Sequence, residues 1–108
     1  MRTIRQPAVA GRFYPGRAHE LQASVDGLLA DARRQTTPLP ECPKALIVPH
    51  AGYIYSGPSA ARGYALLDPF AASIRRVVLL GPAHHVWFAG LALPDDDAFA
   101  TPLGEVPI

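Results

Sequence analysis

The sequence predicts an α/β fold: a layered α/β sandwich with a βαβ unit and a mostly parallel or mixed central sheet. Two short runs, Lys44–Val48 (KALIV) and Arg75–Leu80 (RRVVLL), are almost wholly apolar, and a segment of helical spacing lies between them. Neither run alternates apolar and polar residues, which is typical of strands buried on both faces. The chain of 108 residues is long enough for one such domain.

The first predicted helix covers residues 18–35 (AHELQASVDGLLADARRQ). Its apolar side chains recur at helical spacing, and basic residues close its last turn, where they suit the helix dipole. These apolar positions are Leu21, Val25, Leu28, Leu29 and Ala32. Residues 36–43 carry three prolines, so we expect a connecting loop there.

The second predicted helix is the crossover of the βαβ unit, Pro58–Leu67, with Ser56 placed to cap its first turn. We expect the first helix to cover one face of the sheet and the crossover helix the other. Gly90–Pro94 is the candidate for a third strand, and residues 95–108 are too rich in Asp, Pro and Gly to assign. A three-stranded sheet is small for this architecture, so we expect a portion of a longer domain.

Composition narrows the classes of function. Ten basic residues against nine acidic ones give a net charge of +1, and the basic residues are dispersed, so we expect no nucleic-acid partner. The single cysteine, Cys42, excludes an internal disulfide and suits a reducing compartment. No apolar run reaches the length of a signal peptide or a membrane span, and we therefore predict a cytoplasmic protein without a membrane partner.

Histidines follow both predicted strands. His50 comes directly after the first run, and His84 and His85 come after the second, in GPAHH. The carboxyl ends of parallel strands share one edge of the sheet, where open α/β folds bind ligands, so we expect His50 and one of the other two in a common pocket. Imidazole binds transition metals and transfers protons near neutral pH, and the pattern therefore predicts a metal or acid–base site.

Two histidines leave a divalent ion short of ligands. Cys42 lies at the far end of the first predicted strand, more than about 20 Å from His50 at ~3.3 Å per residue, and this distance excludes it as a further ligand. Asp95, Asp96 and Asp97 would reach the pocket only if their loop folds back, and such a run is usually a solvated turn. Tyr53 is a candidate general acid or hydrogen-bond donor to a ligand, and packing against the crossover helix is the alternative.

The chain resembles the Memo family in four segments. These are RQPAVAGRFYPG, ALIVPHAGYIYSGPSAARGYALL, RRVVLLGPAHHVWFAGLALP and TPLGEV, which follow one another in the family's order. The pairing of PHAGYIYSG with GPAHH at this separation is specific. The resemblance covers nearly the whole chain and implies a single Memo-like domain over residues 1–108, matching the amino-terminal portion of longer family members.

The resemblance implies a fold similar to the class III extradiol dioxygenases, whose related enzymes use non-haem iron. It places His50 and His84 in the site, with a cysteine ligand that lies in a part of the family sequence this chain lacks. Iron or copper is the expected metal. Bacteria and archaea often encode Memo proteins beside a radical-SAM protein and an AMMECR1-like protein, which are the partners that the resemblance implies.

Three hypotheses follow. In the first, His50 and His84 hold iron or copper for redox chemistry, and Tyr53 or His85 assists proton transfer or orients a ligand. In the second, the chain is a non-catalytic binding or adaptor protein that uses the same pocket for a peptide or partner. In the third, the chain alone has an open sheet edge and no activity of its own.

Overall fold

The structure is a computed structural model that describes residues 1–108. Two α-helices, one 3₁₀ helix and three short strands form in the chain. In chain order they are β1 (Ile4–Arg5), α1 (Ala18–Gln35), α2 (Tyr53–Ala65), the 3₁₀ helix (Asp68–Ser73), β2 (Ala98–Thr101) and β3 (Gly104–Pro107). The combination of helices with a small mixed sheet confirms the α/β class.

The sheet joins the two ends of the chain in the order β1–β2–β3. β1 runs parallel to β2, with Ile4 opposite Ala98, and β2 pairs with β3 as an antiparallel hairpin. Gly104 begins β3 with a φ of 128°, a value that favours glycine, and the Thr101 hydroxyl donates a 2.8 Å hydrogen bond to its carbonyl. Ala98 is fully buried, so the hairpin contributes to the small core.

Helix α1 has the bounds that its periodicity predicts, and its basic last turn is present. It packs directly against α2, and small side chains make the close contact: Ala32, Ala61 and Ala65 are buried together. A Cβ added at Gly57 of α2 would lie 3.0 Å from a methyl group of Leu28, so the helices approach closely there. Neither helix is long and apolar enough to cross a membrane.

The prediction for the crossover helix was wrong in its start and its packing. Helix α2 begins at Tyr53, before the predicted start at Pro58, and Pro58 lies inside it. Ser56 is a helix residue rather than a cap; its Oγ accepts a 2.9 Å hydrogen bond from the backbone N–H of Ala51. The two helices do not cover opposite faces of a sheet, because the strands predicted before and after α2 do not pair.

The predicted strands Lys44–Val48, Arg75–Leu80 and Gly90–Pro94 are not strands in the structure. None of their backbone groups joins a backbone hydrogen bond, and the βαβ unit is therefore absent. The physical reason is that a strand is stabilised by hydrogen bonds to a neighbouring strand, and these runs make none to any other segment of the chain. Of the three strands that do form, β2 and β3 lie in the segment 95–108 that the sequence left unassigned.

Candidate functional site

His50 and His84 meet in the structure although the strands before them do not pair. Their Nε2 atoms are 3.0 Å apart, and the ring centroids are 5.2 Å apart with an interplanar angle of 39°. Both residues are exposed to solvent. The sequence prediction that histidines from these two loops share one place is therefore consistent with the geometry, and it singles out His84 over His85.

The loop that carries His50 is held from two sides. The backbone N–H of Ala51 donates to Ser56 Oγ, and Ser56 is buried in α2. The backbone N–H of Tyr53 donates to the carbonyl of Phe13 over 2.7 Å, which ties the start of α2 to the loop before α1. Sequence reasoning took Ser56 for a helix cap, and it missed the contact between Tyr53 and Phe13 because these residues are distant in sequence.

The loop that carries His84 has no comparable support. Residues 75–94 make no backbone–backbone hydrogen bond, and the side-chain contact between His84 and His50 joins this segment to the rest of the chain. The His85 ring lies beside that of His84, with centroids 6.4 Å apart and the ring planes tilted by 59°, and it makes no hydrogen bond. The loop of His50 is therefore held by hydrogen bonds to the rest of the chain, whereas the backbone of the His84 loop is not.

The Tyr53 side chain does not contact the histidine pair and lies instead beside Tyr14. Its ring packs against Tyr14 with centroids 5.7 Å apart, and burial raises the pKa of the Tyr53 phenol above its ordinary value of 10.0. Both rings line a cavity of about 440 Å³ between α1 and the β2–β3 hairpin, whose apolar wall includes Leu21, Val25 and Leu103. The sequence could not predict this cavity, because the hairpin that closes it was unassigned.

The remaining candidate ligands have other partners or none. The Asp97 carboxylate accepts hydrogen bonds from the backbone N–H and the hydroxyl of Thr3, at 2.7 and 3.3 Å, so it fastens β1 to β2. Cys42 is exposed, and its Sγ lies 3.6 Å from the carbonyl of Pro43. No group of three or more His, Cys, Asp and Glu side chains is placed to hold a metal ion.

The histidine pair fits two kinds of chemistry. Two metal–nitrogen bonds of about 2.1 Å at a right angle place their nitrogen atoms about 3.0 Å apart, which matches the separation of the two Nε2 atoms. The same separation suits a direct hydrogen bond, in which one ring donates its Nε2 proton to the unprotonated Nε2 of the other. The donor set is therefore suitable for two adjacent positions of a metal centre.

Residues 5–108 match the family model described as Memo-like protein. The chain belongs to the Memo-like protein family. Protein MEMO1 of Xenopus tropicalis is 39% identical over 104 residues, 96% of this chain and 33% of that protein, and Protein MEMO1 of Homo sapiens is 38% identical over the same shares. The MEMO1 family protein of Aquifex aeolicus (strain VF5) is 40% identical over 105 residues, 97% of this chain and 36% of that protein.

This Memo-like chain spans about a third of the length of the curated relatives it matches. The matched residues 5–108 include both strand-end loops, so the histidine pair lies within the Memo-like region. The same region includes Tyr14 and Tyr53, which line the cavity beside the hairpin. All the residues of the candidate site therefore lie within the region that matches the family model.

Proposed function

We propose that His50 and His84 are two ligands of a transition-metal centre, iron or copper, in a Memo-type redox protein. The observation that supports the proposal is the 3.0 Å separation of the two Nε2 atoms, which come from loops distant in sequence. Neutral imidazole is a common ligand for both metals. The remaining ligands come from outside the two loops, as the family resemblance implies.

A bound iron or copper ion would supply one-electron redox chemistry and activation of a small ligand. The chain's own part is to hold two nitrogen donors in place and to leave the other positions accessible. The loop of His50 is held by the Ala51–Ser56 hydrogen bond, whereas His84 lies in a segment that makes no backbone–backbone hydrogen bond. His85 is next to His84 and is the nearest candidate to orient a ligand or carry a proton.

Metal titration of the 108-residue chain tests this proposal. Cu(II) and Fe(II) are added separately, and binding is followed by calorimetry and, for Cu(II), by electron paramagnetic resonance, whose nitrogen couplings count the coordinated imidazoles. We expect two coupled nitrogens in the wild type. The double variant His50→Ala, His84→Ala is expected to bind on the order of 100-fold more weakly, since loss of residues that only hydrogen-bond to metal ligands already weakens metal sites by about 10–100-fold.

His19→Ala is the matched control, because His19 lies in the first turn of α1 and contacts neither histidine. Equal affinity of the double variant and the wild type would contradict the proposal, as would an affinity loss of the same size in His19→Ala. Oxygen consumption by the metal-loaded protein, compared between wild type and double variant, then tests whether the centre is redox-active.

A second candidate function is polypeptide binding without chemistry at the same place. It is favoured by exposed aromatic side chains near the two histidines in sequence: Tyr55, in the first turn of α2, is 81% exposed, and Trp87, after His85, is 89% exposed. Exposed aromatic residues are common anchors of interfaces. The radical-SAM and AMMECR1-like proteins implied by the resemblance are the partners to test.

Binding of these two purified proteins, measured by calorimetry against wild type and the double histidine variant, separates the candidates. A stable complex that is weakened by Trp87→Ala and unaffected by His50→Ala, His84→Ala would support the binding function. Absence of a complex with either protein would count against it and would leave the metal proposal unaffected.

A further inference from the structure

We propose that the cavity between α1 and the β2–β3 hairpin is a binding site for a small, neutral aromatic molecule that carries a carbonyl group. The cavity has a volume of about 440 Å³, within the ~300–1,000 Å³ that is usual for small-molecule sites. No histidine lines it, so the site is separate from the proposed metal centre and does not depend on it. The argument rests on the hydroxyl groups, the charge and the rigidity of its walls.

The first observation is a pair of hydroxyl groups that have no partner. Tyr14 and Tyr53 both line the cavity, and their ring centroids are 5.7 Å apart. Neither phenol makes a hydrogen bond within the chain. No buried side-chain oxygen lacks a partner, so both phenol oxygens are accessible. Two hydroxyl groups are therefore free to donate hydrogen bonds to a molecule in the cavity.

The second observation concerns the protonation of these hydroxyl groups. Burial raises the pKa of the Tyr53 phenol above its ordinary value of 10.0, so Tyr53 keeps its proton at neutral pH and remains a donor. A carbonyl oxygen has two lone pairs and can accept one hydrogen bond from each phenol. The pair of free donors therefore favours a ligand with a carbonyl group over an apolar molecule of the same shape.

The third observation is the charge of the walls. Glu105 is the only carboxylate that lines the cavity, and it already pairs with Arg2 over 2.8 Å. Most of the remaining wall is apolar, with Leu21 on α1 and Leu103 at the hairpin turn. A charged ligand would lose its hydration there without gaining an opposite charge, so a neutral molecule is favoured. The two tyrosine rings also favour an aromatic ligand, because aromatic rings pack well against one another.

The walls are held in place by contacts within the chain. The backbone N–H of Tyr53 donates to the carbonyl of Phe13 over 2.7 Å, which fixes the start of α2 beside the loop before α1. The Thr101 hydroxyl donates to the carbonyl of Gly104 over 2.8 Å and closes the hairpin turn. Sites for small molecules are usually formed largely before the ligand binds, and a site of this kind avoids the cost of ordering its walls.

The test uses acetophenone as the probe and isopropylbenzene as its matched control. The two compounds have the same shape, but a methyl group of isopropylbenzene replaces the carbonyl oxygen. Binding to the 108-residue chain is followed by nuclear magnetic resonance of the methyl groups of Leu21, Val25 and Leu103, which line the cavity. A chelator is present, so that metal binding does not contribute. We expect acetophenone to shift all three sets of methyl signals in a saturable manner.

Replacing the phenols separates the hydrogen bonds from the apolar contacts. Tyr53→Phe and Tyr14→Phe are each expected to weaken acetophenone binding about 5-fold, the effect of one ordinary hydrogen bond, and to leave isopropylbenzene binding unchanged. Tyr55→Phe is the matched control, because Tyr55 lies on α2 outside the cavity and should not affect either compound. Equal acetophenone affinity in both cavity variants and the wild type would overturn the proposal, as would an equal loss in Tyr55→Phe.

Two variants fill the cavity from opposite walls. Val25→Trp and Leu103→Trp are each expected to abolish binding of acetophenone, and circular dichroism identifies the variants that keep their helices. Undiminished binding in a folded filling variant would overturn the proposal, and so would the absence of any shift in the wild type up to the solubility limit of acetophenone. A dimer by sedimentation that Val25→Trp dissociates would overturn it in favour of a second copy of the chain as the occupant.

Discussion

Helices α1 and α2, here called the helix pair, and the run of residues 75–80 both contain apolar side chains. These side chains are buried where the two helices meet and exposed in the run. In α1 and α2 the small residues Ala32 and Ala61 are 3% and 5% exposed, whereas Val78 and Leu79 remain 85% and 79% exposed. A helix satisfies its own backbone hydrogen bonds and needs only one apolar neighbour to be stable. A strand needs a partner for its backbone before its side chains can pack, so apolarity alone leaves residues 75–80 open.

Breaking the helix pair is expected to have the largest effect. Ala61→Asp places a carboxylate among the apolar side chains of Ala32, Ala65 and Leu28. We expect a loss of about 4 kcal/mol in the free energy of unfolding, typical of an unpaired charge in a packed contact. Urea denaturation followed by circular dichroism at 222 nm measures this loss directly.

Ser59→Asp is the control for the charge itself, since Ser59 lies on the exposed side of the same helix. It is expected to change stability by less than about 0.5 kcal/mol. Equal stability of Ala61→Asp and Ser59→Asp would mean that the contact between the helices contributes little. The contrast between the buried contact of α1 with α2 and the exposed run of residues 75–80 would then be wrong.

A smaller effect is expected where the packed region meets the candidate site. Ser56→Ala removes the acceptor for the Ala51 N–H, next to His50. We expect a loss of about 1 kcal/mol, the usual net value of one hydrogen bond in a partly buried setting. Hydrogen exchange at Ala51 should quicken, and Ser59→Ala should leave it unchanged. An unchanged Ala51 amide in Ser56→Ala would show that another contact holds the His50 loop.

The sequence predicts those parts of the molecule whose structure depends on local pattern. The bounds of α1 follow from its apolar period and its charged last turn, and they are confirmed. The prediction that His50 meets one of His84 and His85 depended on parallel pairing of the two apolar runs; His50 and His84 do meet, although the runs do not pair. The two apolar runs were predicted to be paired strands, and the structure shows that they are not. The apolar pattern of a run indicates that its residues suit a buried strand, but it does not show whether another strand lies beside it.

Other features had no local signal in the sequence. The β2–β3 hairpin lies in a segment rich in Asp, Pro and Gly, and it forms because Asp97 and Thr3 fasten it to the start of the chain. The cavity beside Tyr14 and Tyr53 depends on that hairpin. Contacts between positions more than ninety residues apart are not visible in local periodicity.

A pH-dependent effect is expected at the far end of the helix pair. Asp68, at the start of the 3₁₀ helix, accepts a 2.5 Å hydrogen bond from Arg33 of α1, and this bond lowers the pKa of the Asp68 carboxyl below its ordinary value of 3.8. A lowered folded-state pKa contributes stability above the ordinary value, and the contribution is lost as pH falls through the folded pKa.

Asp68→Asn is therefore expected to unfold slightly more readily than the wild type at neutral pH and to behave alike at strongly acidic pH. The effect is small because both side chains are about half exposed to solvent. Thermal unfolding at several pH values from neutral to acidic measures it, and high salt should reduce it. A difference that grows on acidification would contradict the sign derived from the lowered pKa.

The smallest effect is expected from Val78→Asp in the 108-residue chain. Val78 is 85% exposed and its backbone is unpaired, so a charged side chain there displaces no contact. We expect stability within about 0.5 kcal/mol of the wild type and less aggregation, since the substitution interrupts an exposed apolar run. Urea denaturation and light scattering measure the two quantities. If Val78→Asp instead lost as much stability as Ala61→Asp, the Val77–Leu80 run would be packed within this chain, and it would no longer differ from the helix pair.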